Sequence, residues 1–284
     1  DEPAPTEVFV PPAPVARPAP QPVCPECDEI NHGKLQFRAG YDIPTRYYFR
    51  GILQEAKGLI NQPWAEVDVD LYQGDGMLDN VTLTGGLWNS LHSQETGKLT
   101  KTTGPDPWYE ATAHVGLKMG LFDNTELTTL YSTRNSPNGA FSSVQEIQIG
   151  LGFDDSDLLG ALALNPELLF AIEVASSSFG PNSGTYMELR GEPETTLGDE
   201  DGSYPLTLSV PVRIGFSLDK YYQDATGRDP GWGFFDIALK GGVPLGFMPD
   251  TVGDWKAHAA VHLTTLPGNT LRDVNWRGND WDFY

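Results

Sequence analysis

The sequence has no long hydrophobic run, few basic residues and only two cysteines. No stretch approaches the roughly 18 consecutive apolar residues that a membrane-spanning helix requires, so such a helix is excluded within these 284 residues. The net charge of −21 lacks the basic footprint that binds phosphate backbones, so nucleic acid is not an expected partner. An acidic total is compatible with solubility, with the attraction of cations, or with acidic loops that face the outside of a cell.

The two cysteines, Cys24 and Cys27, form a Cys-Pro-Glu-Cys motif. Outside the cytoplasm this pair predicts a small local disulfide. A zinc site would need four ligands, and only His32 lies nearby. A redox motif would lie at a strand-to-helix junction, and haem attachment would need histidine where Asp28 stands. We therefore predict a disulfide, no metal and no cofactor. Metal binding, redox chemistry and a lipid-like role remain the alternatives.

The chain divides into a Pro-rich segment, residues 1–34, and a second segment, residues 35–284. The first cannot build a core, and we interpret it as an extended tether that reaches about 90 Å. It could dock a periplasmic partner or an assembly. The chain starts at Asp1, which we interpret as the start of an exported protein whose signal peptide has been cleaved. The prolines of the tether are Pro3, Pro5, Pro11, Pro12, Pro14, Pro18, Pro20, Pro22 and Pro25.

The second segment alternates apolar and polar residues with a period of two, which predicts β-strands. Residues 206–218 give the clearest example, although Pro211 lies inside this run and would require a bulge. Strands of globular proteins usually have about five or six residues, whereas a tilted strand that crosses a bilayer has about nine to eleven. About twelve strands are predicted, near 46–54, 63–73, 79–91, 108–122, 125–134, 143–154, 167–178, 184–191, 204–218, 231–245, 254–266 and 274–284.

Strand length and the even strand count predict an all-β fold, an antiparallel up-and-down β-barrel that spans a bacterial outer membrane. Connections after odd-numbered strands tend to be long and several others are short, as expected for outer loops and periplasmic turns. Aromatic residues near the strand ends predict two interfacial girdles. These aromatics are Trp64, Tyr72, Trp108, Phe122, Tyr131, Phe153, Phe179, Tyr204, Tyr221, Tyr222, Trp232, Phe247 and Trp255.

Charged residues of both signs lie on one face of the predicted strands. In hydrocarbon each would cost several kcal/mol, so they predict a watery pore or a salt-bridged plug. The alternative is the solvent face of a soluble sandwich. Glu66, Asp68 and Asp70 would favour cations. The predicted pore-lining residues are Arg46, Arg50, Glu66, Asp68, Asp70, Glu110, His114, Lys118, Glu173, Arg213, Asp236, Lys240, Lys256, His258 and His262.

Catalysis has little support in the sequence. Ser90 with His92, or His258 with His262, could form part of a hydrolase site, but many other combinations are equally possible. Alternate carboxylates on one strand lie about 7 Å apart, which matches glycosidase spacing only loosely. We therefore predict that the protein is not an enzyme.

The run Tyr47-Tyr48-Phe49-Arg50-Gly51-Ile52-Leu53-Gln54, followed by Gln62-Pro63-Trp64, resembles the opening strands of the TorF-like porin family. Leu83–Trp88, which reads Leu-Thr-Gly-Gly-Leu-Trp, is similar to the third strand of that family. The resemblance covers about the first fifty residues of the predicted barrel. It implies an outer-membrane barrel for passive transport and no catalytic residues.

The predicted function is a porin-like channel for small hydrophilic solutes or ions, with outer-membrane lipid as its surroundings and oligomers possible. The first alternative is a structural barrel with a closed lumen that anchors an assembly through residues 1–34. The second is a secreted, soluble β-sandwich that binds carbohydrate or acts as a hydrolase.

Overall fold

A computed structural model describes residues 34–94, 96, 107–198, 205–224, 226–249, 253–267, 271 and 281–284. This part of the chain is almost entirely β-strands and their connections, and its one helical element, α1 (Ser156–Leu159), continues into the 3-10 turn Gly160–Leu162. No described helix is long and apolar enough to cross a membrane. Cys24, Cys27 and nearly all of the Pro-rich tether lie outside the described residues.

Sixteen strands are described, and we number them in chain order. They are β1 (Leu35–Asp42), β2 (Tyr47–Phe49), β3 (Ile52–Glu55), β4 (Ile60–Gln73), β5 (Leu78–His92), β6 (Trp108–Leu121), β7 (Thr125–Asn135), β8 (Val144–Phe153), β9 (Glu167–Ala175), β10 (Thr185–Gly191), β11 (Glu194–Leu197), β12 (Leu206–Ser209), β13 (Val212–Asp219), β14 (Trp232–Pro244), β15 (Lys256–Thr265) and β16 (Trp281–Phe283).

Fourteen of these strands form one antiparallel sheet, and β2 pairs with β3 in a separate hairpin. Each strand of the sheet from β4 to β10 pairs with its neighbour in sequence, and β1 pairs with β4 across the hairpin. Glu192 and Pro193 separate β10 from β11, and Val210 and Pro211 separate β12 from β13. Counting each of these two pairs as one broken strand leaves twelve strand positions in the sheet.

Nine of the twelve predicted strands are observed within three residues of their predicted bounds, from β4 to β10 and at β14 and β15. The predicted strand at 46–54 is wrong, because these residues form the β2–β3 hairpin and β1 takes their place in the sheet. The predicted strand at 204–218 is broken at Pro211, where no ladder donor exists. Of the predicted strand at 274–284, only β16 and Tyr284 lie within the described residues.

The sheet is strongly curved around the β2–β3 hairpin. The Tyr47 hydroxyl lies 3.0 Å from a Glu110 oxygen on β6, and the neighbouring Tyr48 hydroxyl lies 2.5 Å from Asp282 on β16. In a flat sheet these two strands would be about 38 Å apart, since neighbouring strands lie about 4.8 Å apart. One short hairpin can contact both only if the sheet curls around it.

The two ends of the sheet meet through side chains. Asp42 on β1 and Nε2 of His258 on β15 are 2.9 Å apart, although ten strand spacings, about 48 Å, separate their strands along a flat sheet. Among the described residues no backbone ladder joins β1 to β15 or β16. A sandwich of two packed sheets is not observed in this part of the chain.

The two faces of the curled sheet have the reverse of the polarity that a soluble protein shows. The inner face buries charged and polar residues, whereas the outer face exposes large apolar ones. On β8, Glu146 is 5% exposed while Ile149 is 37% exposed. The same holds around the sheet, where the exposed outer residues include Val67, Leu87, Val115, Leu117, Ile147, Leu151, Ile172, Val174, Leu189, Leu218 and Leu239.

The connections distinguish the two ends of the sheet. At the end that we call the long-connection end, residues 43–59, 93–107 and 220–231 connect neighbouring strands. At the opposite, short-turn end, residues 74–77 and 122–124 make tight connections. Three connections at the short-turn end are longer and depart from this pattern, at 154–166, 198–205 and 245–255.

Candidate functional site

The interior hairpin, residues 47–55, is built by a two-residue turn. Phe49 pairs with Ile52, and Arg50 and Gly51 between them both have positive φ, 48° and 78°. Positive φ at both central residues defines the type I′ turn that tight hairpins favour. A Cβ on Gly51 would lie 2.7 Å from the Phe234 ring, so glycine also permits close packing against β14.

The tip of the interior hairpin is held by Arg50. Its guanidinium donates to both carboxylate oxygens of Glu146 on β8, at 2.6 and 2.9 Å, and to the Tyr221 hydroxyl at 2.6 Å. The Tyr222 hydroxyl donates to the Arg50 carbonyl at 2.9 Å. Burial raises the pKa of Tyr222 well above its ordinary value, so this hydroxyl stays protonated and remains a donor.

The base of the interior hairpin is held on two further sides. Tyr47 donates to Glu110, whose carboxylate also accepts two hydrogen bonds from Arg134, at 2.8 and 2.9 Å. On the other side Arg46 forms an ion pair with Asp282. Three predicted pore-lining residues, Arg46, Arg50 and Glu110, therefore fix the hairpin through ion pairs or hydrogen bonds and do not line an open channel with free charges.

Aromatic rings fill the interior at the long-connection end. Tyr186, Tyr221, Tyr222 and Phe234 are nearly inaccessible and belong to one cluster, against which Phe179 packs. The prediction that Tyr221 and Tyr222 belong to an outer girdle is wrong, because the connection between β13 and β14 turns them inward onto the hairpin. Tyr204, also assigned to a girdle, lies outside the described residues.

A cavity of about 190 Å³ lies against the interior hairpin. Hairpin residues Tyr47, Tyr48, Phe49 and Arg50 form one side of it, and inward-facing side chains of the sheet form the rest. These include both charged residues and aromatic rings. The wall residues include Arg38, Trp64, Glu66, Thr84, Trp88, His114, Lys118, Arg134, Glu146, Glu167, Glu188, Arg190 and Arg213.

One wall of the cavity holds a four-charge cluster. Lys118 on β6 donates to Glu66 at 2.9 Å and to Asp68 at 3.1 Å, both on β4. Arg38 on β1 forms ion pairs with the same two carboxylates, and His114 lies 3.5 Å from Glu66. The structure thus brings together four of the predicted lining residues. The expected cation preference loses its basis for Glu66 and Asp68, because both are neutralised by internal cations.

The opposite wall holds a second group of ion pairs. Arg190 on β10 bridges Glu188 and Glu167. Arg213 on β13 lies 3.1 Å from Asp236, which also accepts hydrogen bonds from Thr264 at 2.6 Å and contacts His262 at 3.2 Å. Arg213, Asp236 and His262 were predicted as lining residues, and all three face inward.

The remaining predicted lining residues have other roles. Asp70 accepts from Thr82, and Glu173 accepts from the Ser178 and Gly184 amides, which orders the β9–β10 connection. Lys240 pairs with Glu192 at 3.0 Å. Two further predicted lining residues lie on β15 near the short-turn end. Lys256 is exposed, and His258 lies against Asp42, where the two ends of the sheet meet.

A buried polar chain connects the hairpin to β5. His92 lies 2.7 Å from Ser90 through Nε2 and 2.7 Å from Thr96 through Nδ1, and the Thr96 hydroxyl donates to Glu55 on β3. The structure therefore brings Ser90 and His92 together. Ser90 has no accessible surface and His92 is 2% exposed, so no substrate can reach the pair in this arrangement.

Several interior residues were not predicted from the sequence. Arg38, Arg134, Glu146 and Glu167 all contribute ion pairs to the network. Glu146 alternates with Ile147 and lies on the polar face of the predicted strand at 143–154, so this alternation indicates its inward orientation. Arg38 lies in β1, which was not predicted as a strand. Which face of the sheet Arg38 occupies could therefore not be predicted from the sequence.

No protein-family model matches this chain, no curated protein matches it, and no solved structure matches it. The resemblance of residues 47–64 to TorF-like porins therefore stays a prediction. Any functional assignment depends on the geometry of the protein itself.

Proposed function

We propose that residues 35–284 form a β-barrel that spans a bacterial outer membrane and passes small hydrophilic solutes. The observation that carries this proposal is the inside-out distribution of residues over the two faces of the sheet. Exposed apolar side chains surround the outer face, and a soluble monomer rarely exposes a contiguous apolar area of that extent. Buried ion pairs fill the inner face, which is the arrangement of a barrel in lipid.

Two further observations support a barrel. Its twelve strand positions include seven strands of ten residues or more, such as β4 with 14 and β5 with 15 residues, lengths that suit a tilted crossing. The ends of the sheet meet at Asp42 and His258. A barrel abolishes the exposed sheet edges that would otherwise invite aggregation.

Exposed aromatic residues occur near both ends of the strands, as interfacial girdles require. At the long-connection end they are Tyr41, Trp108, Trp232 and Trp281. At the short-turn end they are Tyr72, Phe122, Phe247 and Trp255. This distribution supports a membrane-embedded band between the two ends.

The interior hairpin would set the conductance of such a channel. It occupies the lumen at the long-connection end, and it contacts β6, β8 and β16. The connection that carries it, residues 43–59, enters the lumen from the side of the long loops. The channel we propose is therefore narrow, and solutes pass between the hairpin and the charged wall.

A structural barrel with a closed lumen is the second candidate, because the hairpin is fixed on several sides. Arg50 alone makes three polar contacts to Glu146 and Tyr221. In this case the barrel would anchor an assembly through the Pro-rich tether. It predicts no conductance until the hairpin is removed.

Detergent dependence and conductance test these proposals together. We expect the full chain to require detergent, to migrate differently on gels before and after boiling, and to conduct weakly in planar bilayers. Replacing residues 44–58 by a flexible Gly-Ser linker should increase the conductance several-fold. A matched control exchanges residues 245–255, at the short-turn end, for a linker of similar length, and should leave the conductance unchanged.

Each candidate has a result that rejects it. A full chain that remains soluble and monodisperse without detergent would reject the membrane barrel. A silent full chain that conducts once residues 44–58 are replaced would favour the structural barrel over the channel.

A further inference from the structure

One wall of the cavity carries a buried hydroxyl that lacks a protein partner. Thr84 on β5 is 1% exposed and lines the cavity, and its Oγ1 makes no hydrogen bond within the described part of the chain. A buried polar group left unpaired costs about 1–3 kcal/mol. Such groups are uncommon in native proteins and call for an explanation. A molecule bound in the cavity would supply the missing hydrogen bond.

Three arginines of the cavity wall have N–H groups that are not engaged in hydrogen bonds to described residues. Arg134 and Arg213 each donate through Nε and Nη2, and Arg190 donates through Nε and Nη1. A guanidinium has five N–H donors in a fixed fork. One terminal nitrogen of each arginine therefore has no acceptor among the described residues. The cavity favours a ligand with several oxygen acceptors.

The charges of the wall leave little attraction for an ion. Arg38 and Lys118 are paired with Glu66 and Asp68, and Arg190 is paired with Glu188 and Glu167. A charged ligand would lose its hydration without gaining an unpaired counter-charge, which is unfavourable in a buried site. The ligand that fits is neutral.

Aromatic rings complete the lining. Trp64 and Trp88 of the sheet and Tyr47 and Phe49 of the interior hairpin border the same cavity. Aromatic faces pack against apolar C–H surfaces, while polar groups nearby fix orientation. The cavity volume of about 190 Å³ exceeds the roughly 150 Å³ of a protein cavity that holds one benzene ring, so one six-membered ring fits.

We propose that this cavity binds one neutral monosaccharide. A sugar ring has hydroxyl oxygens around its rim, which would accept from the arginines and pair with Thr84. Its C–H faces would pack against the aromatic rings. The proposal rests on the proposed channel, because it names the class of solute that would enter its lumen.

Tryptophan fluorescence of the full chain in detergent micelles provides the test, since Trp64 and Trp88 border the cavity. We expect a saturable change on titration with glucose. Thr84→Val removes the hydroxyl and keeps the shape, and should weaken the apparent affinity about five-fold, the value of one hydrogen bond. Thr129→Val, on the outer face of β7, two strands away in the sheet, is the matched control and should bind like the parent.

Two outcomes would overturn the sugar site. One is the absence of a saturable response to glucose. The other is a saturable response to acetate or to glycine that exceeds the response to glucose, which would assign the cavity to charged solutes. If Thr84→Val fails to fold, Thr84→Ser retains a hydroxyl and should bind glucose like the parent. Loss of binding in that variant would contradict the role of the hydroxyl.

The binding test can reject the sugar site without rejecting the channel, and the conductance test can reject the channel without rejecting the sugar site. A full chain that conducts but shows no saturable glucose response loses the sugar site and keeps the channel. A full chain that binds glucose in micelles but never conducts, with or without residues 44–58, keeps the site and loses the channel.

Discussion

The two halves of the interior differ in how they are filled. At the long-connection end the interior hairpin and buried tyrosines form a compact plug, in which Arg50 is paired with Glu146 and Arg134 with Glu110. Towards the short-turn end, paired charges surround a cavity that contains an unpartnered hydroxyl. The first half has the packing of a core and the second has the properties of a binding site. This difference means that substitutions in the two halves should affect different measurements.

The largest expected effect follows from breaking the ion pair at the hairpin tip. Arg50→Ala leaves Glu146 buried without its cation, and removing one partner of a buried pair typically costs about 3–5 kcal/mol. We expect a lower free energy of unfolding in urea, measured in detergent micelles, and a higher conductance.

The control for this prediction removes both charges. The double variant Arg50→Met with Glu146→Met should recover most of the lost stability, because no uncompensated charge remains. Equal destabilisation of the single and double variants would mean that the ion pair itself does not hold the plug. The exposed pair Lys220–Asp219 offers a second control, for which Lys220→Ala should change little.

The second prediction concerns the outer face of the sheet and not the two halves of the interior. Ile149 lies on the outer face in the middle of β8, and an arginine at the bilayer midplane costs about 2–4 kcal/mol. Ile149→Arg should therefore reduce folding into lipid vesicles. Thr125→Arg places the same residue on the outer face at the end of β7, where the cost falls to about 0–1 kcal/mol. Equal tolerance of both changes would argue against a membrane-embedded face.

The third effect concerns the turn that inserts the plug. Gly51→Ala combines a positive φ with a Cβ only 2.7 Å from Phe234, and overpacking of this kind costs about 1–3 kcal/mol. Gly76→Ala is the matched control, since a Cβ there meets nothing within 4 Å. Urea unfolding should separate the two variants. A Gly51→Ala variant as stable as the control would show that the hairpin tip packs loosely against β14.

Most of the sheet could be predicted from the sequence because alternation with a period of two is a local property. Ile147, Ile149 and Leu151 alternate with polar residues and glycines, and this suffices to place β8 and its two faces. The interior hairpin could not be predicted in the same way. Residues 47–54 have the composition of a strand whether they join the sheet or fold into its interior. Their interior position depends on contacts with Glu146 and Asp282, which are distant in the sequence.

The turn at Arg50-Gly51 nevertheless has a local signal in the sequence. Glycine is the residue that a type I′ turn favours at its second central position, and Gly51 lies between the strand-like runs that begin at Tyr47 and Ile52. No local signal of this kind predicts which interior charges pair with each other. That Glu66 pairs with Lys118 depends on the register of β4, β5 and β6, which the sequence pattern does not determine.

The smallest expected effect lies at the long-connection end, at Asp224 in the connection between β13 and β14, beyond the buried Tyr221 and Tyr222. Asp224 accepts hydrogen bonds from the Thr226 hydroxyl at 2.6 Å and from the Thr226 and Arg228 amides, and these bonds lower the pKa of Asp224 below 3.8. A lowered pKa in the folded state adds stability that is present above pH 3.8 and is lost as the pH falls through the folded value.

An NMR titration of the Asp224 carboxyl carbon measures this shift. The midpoint should lie below 3.8 in the parent and should move upward in Thr226→Val, because the hydroxyl of Thr226 makes the largest contribution. Arg228→Ala should move it less. Since Asp224 lies in a surface connection and does not line the cavity, neither variant should change the conductance or the response to glucose. A change in either readout would mean that this connection is coupled to the plug through Tyr221 and Tyr222, and the two halves of the interior would then not be independent.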